Sequence, residues 1–138
     1  MKMSELLPVG TSATLRRMVT REVVETFGDL IGDHDRIHFD DAFASQTAYG
    51  KPIAHGALML GYMSAASTLA AHGCPIPLVS LGYDKLRFVA AAMIGEEVEV
   101  HFEITGHDDP RNRAFANVTV KAGDRLLAVA RNIIARSP

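Results

Sequence analysis

The sequence predicts an α+β fold in which one antiparallel sheet curls around a long buried helix. Residues 55–72 are nearly all small or apolar, and a helix that is apolar on every side is typically covered on every side. The chain changes character after Pro77 and continues as extended segments with short turns between them. Helices early in the chain and strands late in it indicate α+β rather than alternating α/β. The extended segments are residues 78–90, 97–106, 113–121 and 126–135.

The first half of the chain supplies the remaining elements. Residues 12–19 suggest a first strand, although their alternation is imperfect. Thr20 is typical of a helix N-cap, and apolar residues at helical spacing follow it as far as Gly32, where this helix should end. Asp40 or the aspartate after it can begin a short helix that continues through Ala48.

The late strands lead us to expect two copies of the chain. Residues 97–104 alternate polar and apolar side chains, so one face of this strand is buried. Short turns at 108–112 and 122–124 favour hairpins. A single open sheet has two edges, and a long unpaired edge strand invites pairing with another chain. Because the apolar helix also needs more cover than one sheet gives, the sequence predicts a homodimer.

Composition and charge argue against several kinds of partner. With 48% hydrophobic and 22% charged residues and no repeat or linker, residues 1–138 are interpreted as one domain. A net charge of −2 provides no basic surface for nucleic acid or for an anionic membrane. The most apolar segment is interrupted by polar residues and falls short of a bilayer span. One cysteine, Cys74, and the lack of a charged-then-apolar leader predict a cytoplasmic location.

Asp33 and His38 are the candidate catalytic pair. They are five residues apart, so a helix would point them about 140° apart and a strand would place them on opposite faces. They can therefore meet only across a bend, which Gly32 favours. Taken alone, an Asp and a His at this spacing are more typical of a solvated loop.

The same segment raises the alternative of a metal site. His34 and His38 are four residues apart, which is a zinc-ligand spacing on a helix, and His55 is the nearest further ligand. Glycine and aspartate oppose a helix here, and the ligands are few. We therefore predict that this site holds no metal.

Gly56 is the candidate oxyanion donor. A glycine in the first turn of a helix presents an unbonded backbone N–H at the positive end of the helix dipole, with no Cβ to keep a substrate away. The alternative is that glycine merely permits tight packing where the chain enters the helix. On this residue alone, packing is the better explanation.

Together the two segments resemble a known family. The run GDHDRIHFD at 32–40, with IAHGALMLGYMS at 53–64, resembles the motif of the MaoC-like dehydratases, the (R)-specific enoyl-CoA hydratases of hotdog fold. That motif reads Gly-Asp-x-Asn-Pro-x-His-x-Asp, followed by a helix that opens on Ala-His-Gly. The resemblance implies a hotdog fold, an antiparallel sheet wrapped around a central helix. It also implies a hydro-lyase that reversibly hydrates a 2-enoyl-CoA thioester to an (R)-3-hydroxyacyl-CoA.

The resemblance assigns roles residue by residue. Asp33 and His38 become a catalytic pair that shares one water, and the N–H of Gly56 becomes the oxyanion donor. Ser64, which falls where the family often has a serine near the carboxylate, and His55 join Gly56 as substrate-binding residues. No metal or cofactor is implied beyond the coenzyme A of the substrate.

The sequence departs from the family motif at three positions. Asp35 and Arg36 stand where the family usually has Asn-Pro, and Ala57 stands where Met is common. A second carboxylate beside Asp33 changes the local charge, and we expect Arg36 to offset it by pairing with Asp35.

Two other functions remain open on the sequence. A hotdog acyl-CoA thioesterase would use the same acid and the same helix-end amide. A noncatalytic subunit that binds acyl-CoA or completes a heteromer is the second alternative, and acyl carrier protein is an alternative carrier. The cations that could meet the phosphates of coenzyme A, each individually more typical of a solvated surface, are Lys85, Arg87, Arg111 and Arg113.

Overall fold

In the computed structural model, which describes residues 1–138, a five-stranded antiparallel sheet packs against one long helix. The strands are β1 (Ser12–Met18), β2 (Leu78–Phe88), β3 (Glu97–Asp108), β4 (Arg113–Ala122) and β5 (Arg125–Arg136). The helices are α1 (Met3–Leu6), α2 (Arg21–Ile31), α3 (Arg36–Phe39), α4 (Asp41–Ser45) and α5 (Gly56–Ala70). All predicted elements are present, and α1 and α3 are additions that the sequence pattern did not predict.

The sheet has the strand order β1-β3-β4-β5-β2. As predicted, short turns join β3 to β4 and β4 to β5 as antiparallel neighbours. The four late strands do not form one meander, because β2 pairs with β5 at the far edge and not with β3. The connection from β2 to β3 therefore crosses the end of the sheet, and this crossing segment, residues 89–96, contacts the functional site.

One hydrophobic core joins the sheet to α5. The alternation predicted in β3 is confirmed, since its apolar side chains are buried and its charged ones are not. Helix α5 lies against β1, β3 and β4. Its side chains that enter the core are Leu58, Met59, Met63 and Ala66.

The opposite face of α5 is uncovered in the single chain. This agrees with the expectation that the helix needs more cover than one sheet gives. Exposed positions recur at helical spacing along the outer face, and they are small or apolar residues rather than charged ones. They are Ala57, Gly61, Ser64, Ala65, Thr68 and Leu69.

Local capping explains where the helices begin and end. The hydroxyl of Thr20 accepts a hydrogen bond from the N–H of Val23, and Gly32 ends α2 with a φ of 76°, a left-handed conformation that glycine adopts readily. Both ends of α2 are as predicted. Helix α4 is capped by the Asp40 carboxylate but stops at Ser45, three residues earlier than predicted. No helix of the chain is both long enough and apolar enough to cross a bilayer.

The crossing segment 89–96 fixes the approach to α5. The N–H of Ala54 donates to the carbonyl of Ala92 at 2.7 Å, and Ile53 forms an isolated β-bridge with Met93. Glu96 accepts a hydrogen bond from the N–H of Met93 and pairs with Arg125 of β5, an ion pair that lowers the pKa of the Glu96 carboxyl. Residues 53–54 are therefore tied to the sheet immediately before α5 begins.

Candidate active site

A tight bend after α2 carries the first candidate residue. The carbonyl of Gly28 accepts hydrogen bonds from the N–H of Gly32 at 2.8 Å and from that of Asp33 at 3.0 Å. A Cβ at position 28 would collide with the ring of Phe39 and would lie 3.0 Å from the carbonyl oxygen of Asp33. Glycine at 28 thus lets Phe39 and the bend close against α2.

Helix α3 follows the bend because Asp35 caps it. The Asp35 carboxylate accepts from the N–H of Ile37 at 3.1 Å, and the N–H of Asp35 lies 3.3 Å from the Asp33 carboxylate. Capping is a role that Asn and Asp fill about equally well, so the change from the family's usual Asn keeps the local structure. Asp35, one of the aspartates expected to oppose a helix here, therefore begins α3.

Arg36 pairs with Asp40 and not with Asp35, so the predicted partner is wrong. Its guanidinium lies 3.2 Å from the Asp40 carboxylate, four residues along. The N–H of Phe43 and, after it, Arg36 hold the pKa of the Asp40 carboxyl below its usual value. The pair links α3 to the start of α4, because Asp40 is also the N-cap of α4.

The bend brings Asp33 and His38 together, and His55 joins them. One nitrogen or oxygen atom from each of the three side chains lies within 4.8 Å of the others. Asp33 is exposed, His38 is partly buried, and His55 is 2% exposed. A carboxylate and an imidazole that face a common space at the protein surface can hold the same water molecule.

The hydrogen bond of His38 determines which of its nitrogens is free. Its Nδ1 lies 2.7 Å from the carbonyl oxygen of Ile53. Since a carbonyl only accepts, Nδ1 carries the hydrogen and donates it, and in the neutral ring Nε2 is left as a bare lone pair. A neutral imidazole with an open Nε2 is the form that can remove a proton from water.

His55 is enclosed by protein. Its Nε2–H donates to the carbonyl oxygen of Asp33 at 3.0 Å, and its ring stacks on that of His38 with centroids 3.8 Å apart and 26° between the planes. The edges of Phe27 and Phe39 meet the same ring at 5.3 Å and 5.8 Å. The Nδ1 atom of His55 is buried and has no hydrogen-bond partner within the chain.

His34 and His38 do not form the zinc-ligand pair that their spacing in the sequence suggested. His34 is exposed and its Nε2 lies 2.8 Å from Asp29, so His34 and His38 do not form a pair of ligands on one helix. Asp33, His38 and His55 do cluster, but the rings of the two histidines are stacked. Imidazole lone pairs lie in the ring plane, so stacked rings direct them side by side rather than toward one ion.

Gly56 lies at the start of α5 as predicted, beside an apolar cavity of about 210 Å³. Its N–H has no hydrogen-bond partner within the chain. The ring of Phe88 covers its Cα, so closely that a Cβ would be 2.9 Å from the ring. Glycine therefore serves packing here, and it also leaves a free N–H next to the cavity. The apolar residues that line the cavity include Tyr49, Ile53, Ala54, Met59, Phe88 and Val89.

Ser64 is not brought to the carboxylate within one chain. It follows Gly56 by two helical turns, about 12 Å along the axis, and its hydroxyl makes no hydrogen bond to Asp33. It lines a different cavity of about 330 Å³, between the second half of α5 and the edge strand β2. Other polar residues that line this second cavity are Ser67, Thr68, His72 and Ser80.

The four candidate cations fall at opposite ends of the sheet. Lys85 and Arg87 lie in β2 close to Phe88, which pairs with Ala128. At the other end of the sheet, Arg113 pairs with Ala135 of β5. Arg111 lies in the turn before Arg113, and its guanidinium is 2.9 Å from the Asp108 carboxylate. Only the first two share an end of the sheet with Gly56.

Sequence reasoning missed contacts made by the backbone and by distant rings. The carbonyl of Ile53 orients His38, and the ring of Phe88 covers Gly56. A backbone acceptor leaves no signal in the residue type. Phe88 could have been suspected, because it is an aromatic residue near the end of a predicted strand. Its side chain is 53% exposed in the structure.

Comparison with known proteins places the chain in a family. Residues 8–125 match the model of the MaoC like domain, and the chain belongs to that family. It is 32% identical over 123 residues to the 3-hydroxybutyryl-CoA dehydratase of Methylorubrum extorquens, a match that covers 89% of this chain and 76% of the relative. It is 28% identical over 137 residues to the (R)-specific enoyl-CoA hydratase of Aeromonas caviae, and covers 98% of each.

Structural comparison agrees. The solved structure of the (R)-hydratase from A. caviae involved in PHA biosynthesis superposes with a TM-score of 0.84 at 27% identity, covering 94% of this chain and 96% of that one. The antiparallel sheet with its central helix is thus the hotdog fold, and the resemblance seen in the sequence is confirmed.

Proposed function

We propose that this protein is a hydro-lyase that reversibly adds water to a 2-enoyl-CoA thioester and gives an (R)-3-hydroxyacyl-CoA. The chain belongs to a family whose named relatives are enoyl-CoA hydratases and 3-hydroxyacyl-thioester dehydratases, which supports an enzyme of this class. The stereochemistry, the carrier and the roles of individual residues are the finer part of the proposal.

One observation carries the proposal. The Asp33 carboxylate and the His38 ring approach the same space, and the hydrogen bond from His38 Nδ1 to the Ile53 carbonyl leaves Nε2 as an open base. Two groups of different proton affinity beside one water can remove a proton at one site and supply a proton at another.

The reaction needs a base, an acid and an acceptor for negative charge. His38 takes a proton from water as the hydroxyl oxygen bonds to C3, and the Asp33 carboxylate orients that water. The proton then passes from His38 by way of Asp33 to C2 as the double bond is lost, which returns both groups to their starting forms. The same steps in reverse remove water from a 3-hydroxyacyl thioester.

The free N–H of Gly56 is the proposed donor to the thioester oxygen, where negative charge builds as C3 is attacked. It stands at the N-terminus of α5, where the helix dipole also favours negative charge. Removal of a donor of this kind typically slows an enzyme by about 10²-fold or more. The apolar cavity that Gly56 borders gives the adjoining part of the acyl group a place to lie.

We propose coenzyme A as the carrier, with Lys85 and Arg87 as the cations closest to the cavity end of β2. Both are exposed, and both lie within three residues of Phe88. Within one chain, Arg111 and Arg113 lie at the far end of the sheet from this cavity. An acyl carrier protein is the competing carrier, and comparing rates on the two thioesters decides between them.

We also propose that the protein is a homodimer. The outer face of α5 and the free edge of β2 both expose apolar side chains, and Val79, Leu81 and Leu69 are 37%, 50% and 48% exposed. Exposed apolar side chains beside an unpaired strand favour association with a second copy. Light scattering at micromolar concentration tests this, and a clean monomer would contradict it.

The decisive experiment follows loss of the ultraviolet absorbance of a conjugated enoyl thioester. The wild-type protein is expected to consume crotonyl-CoA or a longer enoyl-CoA, whereas Asp33→Asn and His38→Ala are expected to remain folded and almost inactive. Chiral analysis of the 3-hydroxyacyl product tests the (R) assignment. If the folded variants keep the wild-type rate, the proposed pair is wrong.

The two alternative functions have distinct outcomes in the same assay. Release of free thiol, detected with a thiol reagent, would indicate a thioesterase. Thermal stabilisation by acyl-CoA without turnover would indicate a noncatalytic subunit, and copurification with a second hotdog chain would support that further.

A further inference from the structure

We propose that His55 is a positioning residue that holds Asp33 and His38 in their catalytic arrangement. This inference rests on the hydratase function proposed above. It replaces the sequence-based assignment of His55 to substrate binding with a role directed at the two catalytic side chains.

A single side chain contacts both members of the pair. The Nε2–H of His55 donates to the backbone carbonyl of Asp33 at 3.0 Å, and the face of its ring stacks on His38 at a centroid distance of 3.8 Å. The first contact fixes the bend that presents the Asp33 carboxylate. The second limits rotation of the His38 ring about its own hydrogen bond to Ile53.

The His55 ring is itself fixed from several sides. Phe27 of α2 and Phe39 of α3 contact it edge-on, and the ring is 2% exposed. Its backbone is the N-cap of α5, directly after Ala54, whose N–H is bonded to Ala92. His55 is therefore a rigid connection between the start of α5, where Gly56 lies, and the bend that carries Asp33.

The ring offers no polar atom to a substrate. Its Nε2–H is used by the Asp33 carbonyl, and its Nδ1 is buried and has no hydrogen-bond partner within the chain. A ring that only bound substrate would present one of its nitrogens to the cavity. The contacts of His55 instead point to alignment of the residues that do the chemistry.

The rival explanation is that His55 is simply a core residue. A core residue affects stability alone, whereas a positioning residue affects the turnover number and the environment of His38 even where the protein stays folded. A displacement of about 1 Å at a catalytic group can cost about 10²-fold in rate, so the difference is measurable.

Two substitutions separate the two contacts of His55. His55→Gln keeps an N–H that can reach the Asp33 carbonyl but removes the stacked ring, and His55→Phe keeps a ring but removes the donor. His107 is a matched control, because its Nε2–H also donates to a backbone carbonyl, that of Leu7, at 2.6 Å and away from this site. His107→Gln and His107→Phe should lower stability without changing turnover.

Steady-state kinetics and proton NMR of the His38 ring are measured on all four variants. We expect kcat to fall about 10²-fold in His55→Phe and about 10-fold in His55→Gln, with KM within about twofold of wild type, since the donor matters more than the stack. The His38 ring signals, assigned by their loss in His38→Ala, should move strongly in His55→Gln, less in His55→Phe, and not at all in the His107 variants.

Several results would overturn the inference. A raised KM with unchanged kcat would make His55 a substrate-binding residue, and a lower melting temperature with unchanged kcat and unchanged His38 signals would make it a core residue only. If the wild-type protein turns over no enoyl thioester, the proposed function fails, but the His38 signals still test the positioning. Should His55→Phe not fold, His55→Gln carries the test.

Discussion

The two ends of α5 are built in contrasting ways. At its start, His55 stacks on His38, and the ring of Phe88 covers Gly56, so each group is held by specific protein contacts. Along its second half, serine and threonine side chains line an open cavity of about 330 Å³. The contrast indicates that the first region fixes geometry, while the second leaves polar groups available to whatever fills the space.

Two buried polar atoms near the second region also have no hydrogen-bond partner within the chain. Asn132 is wholly buried and donates to Ser80 and to the carbonyl of Gly82, but its Oδ1 has no partner within the chain. The hydroxyl of Tyr83 likewise has no partner within hydrogen-bond distance, and burial raises its pKa. Because Asp33 and His38 contact His55 at the start of α5, substitutions at the two ends of the helix should have very unequal effects on catalysis.

The largest effect is expected at the start of the helix, from the catalytic pair. Asp33→Asn and His38→Ala should each lower kcat by about 10²- to 10⁴-fold, the range in which general acid–base groups contribute. Because the two act on one water, the double variant should be little slower than the slower single variant. Steady-state hydration assays on the three proteins check this, and additive losses would mean that the residues act independently.

A smaller loss is expected from Gly56→Ala. The new Cβ would lie 2.9 Å from the Phe88 ring, so this ring must move, and we expect kcat to fall about 10-fold as the N–H and the cavity shift.

The matched control for Gly56→Ala is a double-mutant cycle with Phe88→Ala. Removal of the ring should relieve the clash, so Gly56→Ala should cost much less in the Phe88→Ala background than in the wild type. An equal loss in both backgrounds would show that Phe88 is not the cause.

At the other end of the helix, Ser64→Ala should change kcat by less than about threefold, because the hydroxyl makes no contact with Asp33 within one chain. The same assay applies. A loss greater than 10-fold would place Ser64 at the carboxylate, as the family resemblance implied, and would weaken the contrast between the two ends.

The smallest effect concerns acid stability near the start of α5. Arg125 lowers the pKa of Glu96, which anchors the crossing segment. A carboxyl with a lowered folded-state pKa stabilises the fold above its unfolded value, and the contribution is lost as the pH falls through the folded value. Glu96→Gln should therefore melt below wild type at neutral pH, by a margin that shrinks under acid. Thermal melts across the acid range test this, and a difference in melting temperature that grows under acid would contradict the prediction.

Much of this site could be predicted from the sequence, and the rest could not for physical reasons. The caps at Thr20 and Gly32 are local, and they made the bend that joins Asp33 to His38 foreseeable. The helix capped by Asp35 was misjudged because an aspartate that disfavours helix interiors favours helix starts. The position of β2 beside β5 depends on pairing between distant segments, which the pattern of a single strand does not encode.

The hydrogen bond from His38 to the carbonyl of Ile53 has a consequence for reading and reusing this site. No side-chain replacement at position 53 can delete an acceptor that belongs to the main chain, so a mutational scan would not reveal this hydrogen bond. Grafting Asp33 and His38 into another scaffold would fail if only these two side chains were copied. The backbone conformation of the segment before α5 must be copied with them.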